Sequence, residues 1–154
     1  MKAVLLAAGL ATAASVALAA PPSAPLSAAP PASGSVAALA DGTLLDTTTN
    51  SDGQRITVPT HPQLRVAVFT DPAGWHSAWH MHRYPRYIYV LEGTLTVEMP
   101  DGKQSPVHAG HFSAEMIGIW HRGANLGPGP LKFLVIDQTV PGSGPNMIFH
   151  ATKP

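Results

Sequence analysis

The stretch WHMHRYPRYIYV, residues 79–90, places two histidines one residue apart at the start of a run typical of a β-strand. Side chains two residues apart lie on the same face of a strand, so His80 and His82 are expected to point together. Two imidazoles in this arrangement can converge on one cation. Imidazole suits zinc, copper, iron and nickel alike, so the pair predicts a metal site without selecting the metal.

A third histidine, His121, lies about forty residues later in the segment GIWHRGAN. The chain has no cysteine, so any bound metal must use nitrogen and oxygen ligands. Three neutral imidazoles with an open position for water or substrate form a competent catalytic zinc site. His121 therefore strengthens the prediction of a metal site at His80 and His82.

The elements that must position these histidines are short and rich in β-forming residues. Turn signals such as Asp52-Gly53, Glu92-Gly93 and Asp101-Gly102 separate them, and no long helical repeat occurs after residue 41. This texture predicts an all-β sandwich or closed barrel. The predicted strand runs are 43–49, 54–59, 64–70, 77–82, 86–93, 94–100, 111–116, 131–140 and 147–150.

Two motifs in this order resemble those of the cupin family. The first motif, G-x5-H-x-H-x3,4-E-x6-G, is matched by Gly74, His80, His82 and Gly93. Arg86 stands at the position of its glutamate. The second motif, G-x5-P-x-G-x2-H-x3-N, is matched by Gly110, Gly118, His121 and Asn125. Met116 stands at the position of its proline. The resemblance covers about residues 64–139.

The resemblance implies a single jelly-roll β-barrel with its site inside the mouth. Metal-binding cupins hold iron, manganese, zinc, nickel or copper, usually through three histidines and one glutamate. The histidines carry over to His80, His82 and His121, but Arg86 and then Tyr87 stand where the glutamate is expected. Thiol dioxygenases, also cupins, are similar in using histidines without the carboxylate.

Arg86 is open to two interpretations. A three-histidine centre keeps the full charge of the ion, and unit charges about 4 Å apart interact by roughly 4 kcal/mol at an effective dielectric constant of 20. A bound carboxylate, enolate or phosphate would turn that repulsion into attraction, which makes Arg86 an anion clamp. Alternatively, Pro85 bends the chain and Arg86 points to solvent.

Glu115 lies on the run that leads to His121. It could approach the metal as a replacement ligand, accept a hydrogen bond from the second nitrogen of a ligand histidine, or face solvent. Aromatic residues near these positions, Trp75 among them, either wall an apolar pocket or belong to the barrel core.

The N-terminal region has the features of an export signal. Lys2 is followed by an apolar, alanine-rich stretch and by a small-x-small pattern at Ala17–Ala19, which predicts a signal peptide over residues 1–19. An uncleaved anchor is the alternative, but the stretch is short and interrupted, so no stable membrane anchor is expected. Residues 20–40 are rich in Pro, Ala and Ser and predict a disordered linker to a domain at 41–154. The protein is expected to be periplasmic or secreted.

The charge balance excludes one class of partner. The formal net charge is zero and no basic patch stands at helical or ribbon spacing, so no nucleic-acid partner is expected. We expect instead a small, anionic ligand, handled by a dioxygenase- or isomerase-type cupin or by a non-catalytic binding or sensing barrel. The cupin resemblance also implies a homodimer formed by strand exchange, to which residues 43–59 could contribute.

Overall fold

The computed structural model of the chain describes residues 42–154, and every regular element in that range is a β-strand. The predicted signal peptide and linker lie outside the described residues. Within residues 42–154 there is no helix with the length and apolar character that crossing a bilayer requires. The strands are β1 Gln63–Asp71, β2 Trp79–His82, β3 Arg86–Glu92, β4 Thr94–Glu98, β5 Gln104–His108, β6 Phe112–Ala114, β7 Arg122–Ala124, β8 Leu131–Thr139 and β9 Met147–His150.

The strands form two facing walls. One wall has the order β1-β8-β3-β6, while β5-β4-β7 and β2-β9 make up the other. Reciprocal backbone hydrogen bonds of 2.8 Å between His80 and His121 join β2 to the start of β7, and the Ser77 amide donates to the Gly123 carbonyl 2.9 Å away. The result is the predicted jelly-roll barrel.

The core lies between the walls and follows strand periodicity. Along β8 every second side chain is buried, and Leu131, Phe133 and Val135 face the interior. They pack against Ile88 from the same sheet and Leu95 from the opposite one. Alternate burial along β8 fixes which of its residues can reach an interior site.

The predicted runs at residues 43–49 and 54–59 do not form strands. They are joined by one bridge, Thr49 to Arg55, around a turn in which the Asn50 side chain accepts backbone hydrogen bonds. This turn docks on its own chain, where the Ser51 amide donates to the Ala114 carbonyl at 2.9 Å. The homodimer expected from this segment stays a prediction.

Two strands were missed because their residues are poor strand formers. β5 contains Pro106, and β7 is the short sequence Arg122-Gly123-Ala124. Both strands exist because they pair with β4, one on each side. Pairing with a central strand can override weak local propensity.

Glycines of the two motifs occupy corners of the barrel. Gly74, Gly93, Gly110 and Gly118 all have φ between +70° and +83°, a conformation that favours glycine. At Gly93 the backbone also passes close to that of Pro130, and an added Cβ would lie 2.6 Å from the Pro130 carbonyl oxygen.

Candidate metal centre

The three predicted histidines meet inside the barrel. His80 and His82 lie on the inward face of β2, and His121 lies directly before β7. His82 and His121 are each 1% exposed, and their Nε2 atoms are 3.2 Å apart. One ligand atom from each of the three rings lies within 4.8 Å of the others. Strand periodicity placed His80 and His82 together, and the backbone pairing of His80 with His121 brings in the third ring.

Backbone carbonyls fix the tautomers of two of these rings. Nδ1 of His80 is 2.8 Å from the Ala78 carbonyl oxygen, and Nδ1 of His121 is 2.8 Å from that of Ile119. A carbonyl can only accept, so both Nδ1 atoms donate and both Nε2 atoms carry the free lone pair. This is the usual orientation of a histidine that binds metal through Nε2.

The donor set fits a divalent cation. Ligand atoms about 2.0–2.1 Å from a common ion, at tetrahedral to octahedral angles, are roughly 2.8–3.4 Å apart, and the Nε2 atoms of His82 and His121 are 3.2 Å apart. Burial lowers the pKa of His80 to about 4 and also lowers the pKa of His121. Metal binding requires the neutral imidazole, and these two rings hold that form at neutral pH.

Glu115 approaches the same point from the opposite wall. Its side chain is 7% exposed, with Oε2 3.1 Å from Nε2 of His82 and Oε1 3.8 Å from Nε2 of His121. Burial alone would raise the pKa of Glu115, but His82, His121 and Arg86 lower it well below its usual range. The carboxylate is therefore ionised, and the interpretation that Glu115 faces solvent is wrong.

The sheet register places Glu115 there. Ile88 pairs with Ser113 and Tyr87 with Ala114, so the next position brings Glu115 opposite Arg86. The Glu115 amide donates to the Arg86 carbonyl at 2.8 Å, which extends the pairing beyond β6. Residues directly opposite across strands project to the same face. Where the cupin motif has its glutamate, this barrel has Arg86, and the carboxylate of Glu115 stands opposite it, one residue beyond β6.

Arg86 is buried and ion-paired, so the solvent-facing alternative is wrong. It pairs with Asp137 across β3 and β8, with Nε 3.0 Å from Oδ1 of Asp137 and Nη2 donating to Oδ2 at 3.4 Å. Its Nε is also 3.9 Å from Oε2 of Glu115. Glu115, Arg86 and Asp137 thus form an acid–base–acid row across β6, β3 and β8.

Two residues of this network, Asp137 and Asn146, were not predicted from the sequence. The Asn146 amide nitrogen donates to Oδ1 of Asp137 at 2.7 Å, and its oxygen accepts from the backbone of Arg83 and Tyr84. The sequence does contain an indication of the role of Asp137, because it is the one charged residue among the inward positions of β8. Asn146, in the loop before β9, had none.

A cavity of about 140 Å³ adjoins the histidines. Trp75 lines it, whereas Trp79 packs under Arg122 and Trp120 against His150. A larger groove of about 520 Å³ lies elsewhere, around residues 54–59 and 83–85, and none of the three histidines lines it. The full lining of the smaller cavity is Phe69, Asp71, Trp75, Ser77, His80, Arg86, Ile88, Leu95, Glu115, Gly123, Phe133, Val135 and Met147.

Comparison with known proteins gives a family and several similar folds. A family model described as Cupin domain matches residues 67–137. The comparison with curated proteins gives no match. An uncharacterised protein with a double-stranded β-helix domain from Klebsiella pneumoniae is 21% identical, with a TM-score of 0.49, over 64% of this chain and 83% of that one. The polyketide cyclase RemF from Streptomyces resistomycificus is 22% identical, with a TM-score of 0.49, over 65% of this chain and 72% of that one.

A third similar structure is a cupin domain from Bordetella pertussis, 21% identical, with a TM-score of 0.45, over 55% of this chain and 90% of that one. The family match agrees with the two motifs, with the strand order and with the position of the histidines inside the barrel. Residues 67–137 therefore form a cupin domain.

Proposed function

We propose that the barrel binds one divalent metal ion through His80, His82 and His121, with Glu115 as the fourth protein ligand, and that it acts on a small molecule in the adjoining cavity. The single observation that carries the proposal is the convergence of three buried imidazole rings and an ionised carboxylate on one point. Buried nitrogen ligand atoms beside a negative charge favour a bound cation.

Glu115 is favoured as a ligand over a hydrogen-bond partner of a ligand. A carboxylate that only orients a metal-bound histidine accepts from the ring nitrogen that does not bind the metal. Glu115 instead lies 3.1 Å from Nε2 of His82, the nitrogen that also faces His121. A metal bound at this nitrogen would meet the carboxylate oxygen at the same point.

The residues of the chain would hold the substrate in position and exclude water from it. When bound, the metal supplies a Lewis acid that polarises an oxygen of the substrate. The apolar walls of the cavity hold the substrate beside the histidines, and Glu115 lowers the net charge of the site. The reaction is proposed to be of the dioxygenase or isomerase type. A barrel that binds metal and ligand without turnover would be a binding or sensing protein built on the same site.

The test is metal analysis of the purified protein, with a histidine variant and a matched control. We expect about one divalent metal per chain in the wild type and loss of that metal in His80→Gln. His76→Gln is the control, because His76 is exposed and lies outside the cluster. A wild-type protein without stoichiometric metal, or equal loss in both variants, would overturn the proposal.

A further inference from the structure

The charges around the proposed metal do not cancel. Arg86 and Asp137 neutralise each other as an ion pair, and the histidines are neutral as ligands. Glu115 then offsets one of the two charges of the ion. One positive charge is left in a buried site, where an uncompensated charge is costly. A single negative charge on the ligand would balance it, whereas a dianion would overshoot.

The cavity becomes apolar away from this charged end. Along β3 the lining passes from Arg86 to Ile88, and along β8 from Val135 to Phe133. Asp71 pairs with Leu131, six residues from Asp137 on β8, which places its backbone roughly 20 Å from that of Asp137. Burial raises the pKa of Asp71. Asp71 therefore lines the end of the cavity that lies away from Asp137, the partner of Arg86.

The lining offers few free hydrogen-bond donors for a polar ligand. The Ser77 hydroxyl donates to the Ala78 carbonyl and accepts from the Gly123 amide. The guanidinium of Arg86 lies between Asp137 and Glu115. Hydroxyl groups of a sugar would lose water here without gaining partners, which costs about 1–3 kcal/mol for each group.

The cavity is also small. A volume of about 140 Å³ is close to the roughly 150 Å³ at which an apolar protein cavity accommodates a benzene ring. Phe69 is 41% exposed, so the cavity is open where this side chain lines it. The size suits one ring or a short branched chain with a head group of a few atoms.

We propose that the ligand is a small apolar monoanion of about the size of benzoate, with its anionic head beside His80 and Glu115 and its apolar body between Trp75, Ile88 and Phe133. This inference rests on the metal site proposed above and adds the ligand class to it. Carboxylates and enolates of aromatic or branched aliphatic compounds belong to this class.

The test compares four probes on cobalt-loaded protein. Benzoate, neutral benzamide, dianionic phenyl phosphate and polar glucose 6-phosphate are titrated, and the visible cobalt spectrum and the tryptophan fluorescence are recorded. We expect saturable benzoate binding, at least tenfold tighter than binding of each other probe, and loss of benzoate binding after chelation of the metal. Tighter binding of phenyl phosphate or glucose 6-phosphate, or benzamide equal to benzoate, overturns the ligand class while the metal site stands.

If benzoate changes neither signal of the cobalt-loaded protein, the ligand class is overturned and the metal site stands. A protein that takes up no cobalt overturns the proposed function together with the ligand class, so the two failures are distinguishable.

Two variants of β8 locate the bound probe. Val135 lines the cavity, whereas the next residue, Ile136, projects to the opposite face of the strand. We expect Val135→Phe to weaken benzoate binding at least tenfold while the cobalt spectrum is retained, and Ile136→Phe to leave benzoate binding unchanged. Equal benzoate affinity in both variants contradicts binding in this cavity. If Val135→Phe does not fold, the comparison of probes on the wild type still decides the ligand class.

Discussion

Replacement of Arg86 by methionine tests whether the charge of Arg86 stabilises the fold through its ion pair with Asp137. Arg86→Met keeps an unbranched side chain of similar length and leaves Asp137 buried beside an uncharged neighbour. At 3.0 Å and an effective dielectric constant of 20, the Coulomb attraction between the two charges is about 5.5 kcal/mol. Removing one partner of a buried ion pair costs about 3–5 kcal/mol, a large part of the stability of a typical domain.

A second substitution separates loss of charge balance from loss of packing. Asp137→Asn added to Arg86→Met removes the unpaired charge and keeps an oxygen that can accept the hydrogen bond from Asn146. We expect the double variant to recover at least half of the stability that the single variant loses. Arg65→Met is the matched control, because Arg65 pairs with Asp137 in the register of β1 and β8 but is exposed. A surface change of this kind is expected to alter stability by less than about 0.5 kcal/mol.

The assay is urea unfolding of metal-free protein at pH 7 for the wild type, the three variants and Asp137→Asn alone. The coupling free energy between positions 86 and 137 follows from the resulting double-mutant cycle. A loss below about 1 kcal/mol in Arg86→Met, or a double variant no more stable than the single one, would refute the reasoning. Either result would leave Arg86 free to bind an anionic ligand directly, as the anion-clamp hypothesis holds.

Four further predictions concern the metal, pH, assembly and export. Glu115→Gln should weaken cobalt binding at least tenfold in a chelator competition at pH 7, and unchanged affinity would contradict its role as ligand. Metal-free protein should lose on the order of 3 kcal/mol of stability as the pH falls from 6.5 to about 4, because His80 takes up a proton in the unfolded chain near pH 6.5 but in the fold only near 4. Glu115 acts in the same direction below its usual pKa, and an unfolding free energy that is flat over this range would be inconsistent with burial of neutral His80. If the predicted homodimer forms at the edge strand β1, where Val66 is 54% exposed, then Val66→Lys should halve the mass seen by light scattering, and a wild-type monomer would exclude it. The exported protein should begin near residue 20, which N-terminal sequencing checks; a chain that retains Met1 would contradict the predicted signal peptide.

Local sequence was sufficient for the parts of this protein that depend on spacing along one strand or turn. His80 and His82 share a face because strand periodicity allows nothing else, and Gly93 is required because its corner needs a positive φ and a close approach of two chain segments. Two motifs at cupin spacing then predicted the barrel and the position of His121. These features need only residue types and short separations, which the sequence contains directly.

The charged network could not be read in the same way. Glu115 stands beside Arg86, and Arg86 beside Asp137, because of the register of three strands that are far apart in sequence. A shift of one residue in either pairing would turn these side chains to the opposite face. The sequence had left Arg86 and Glu115 open to solvent or site, and only the pairing of β3 with β6 and β8 decided it. Ligand residues within one strand are set by local geometry, whereas a carboxylate supplied from a neighbouring strand is set by how the whole sheet assembles.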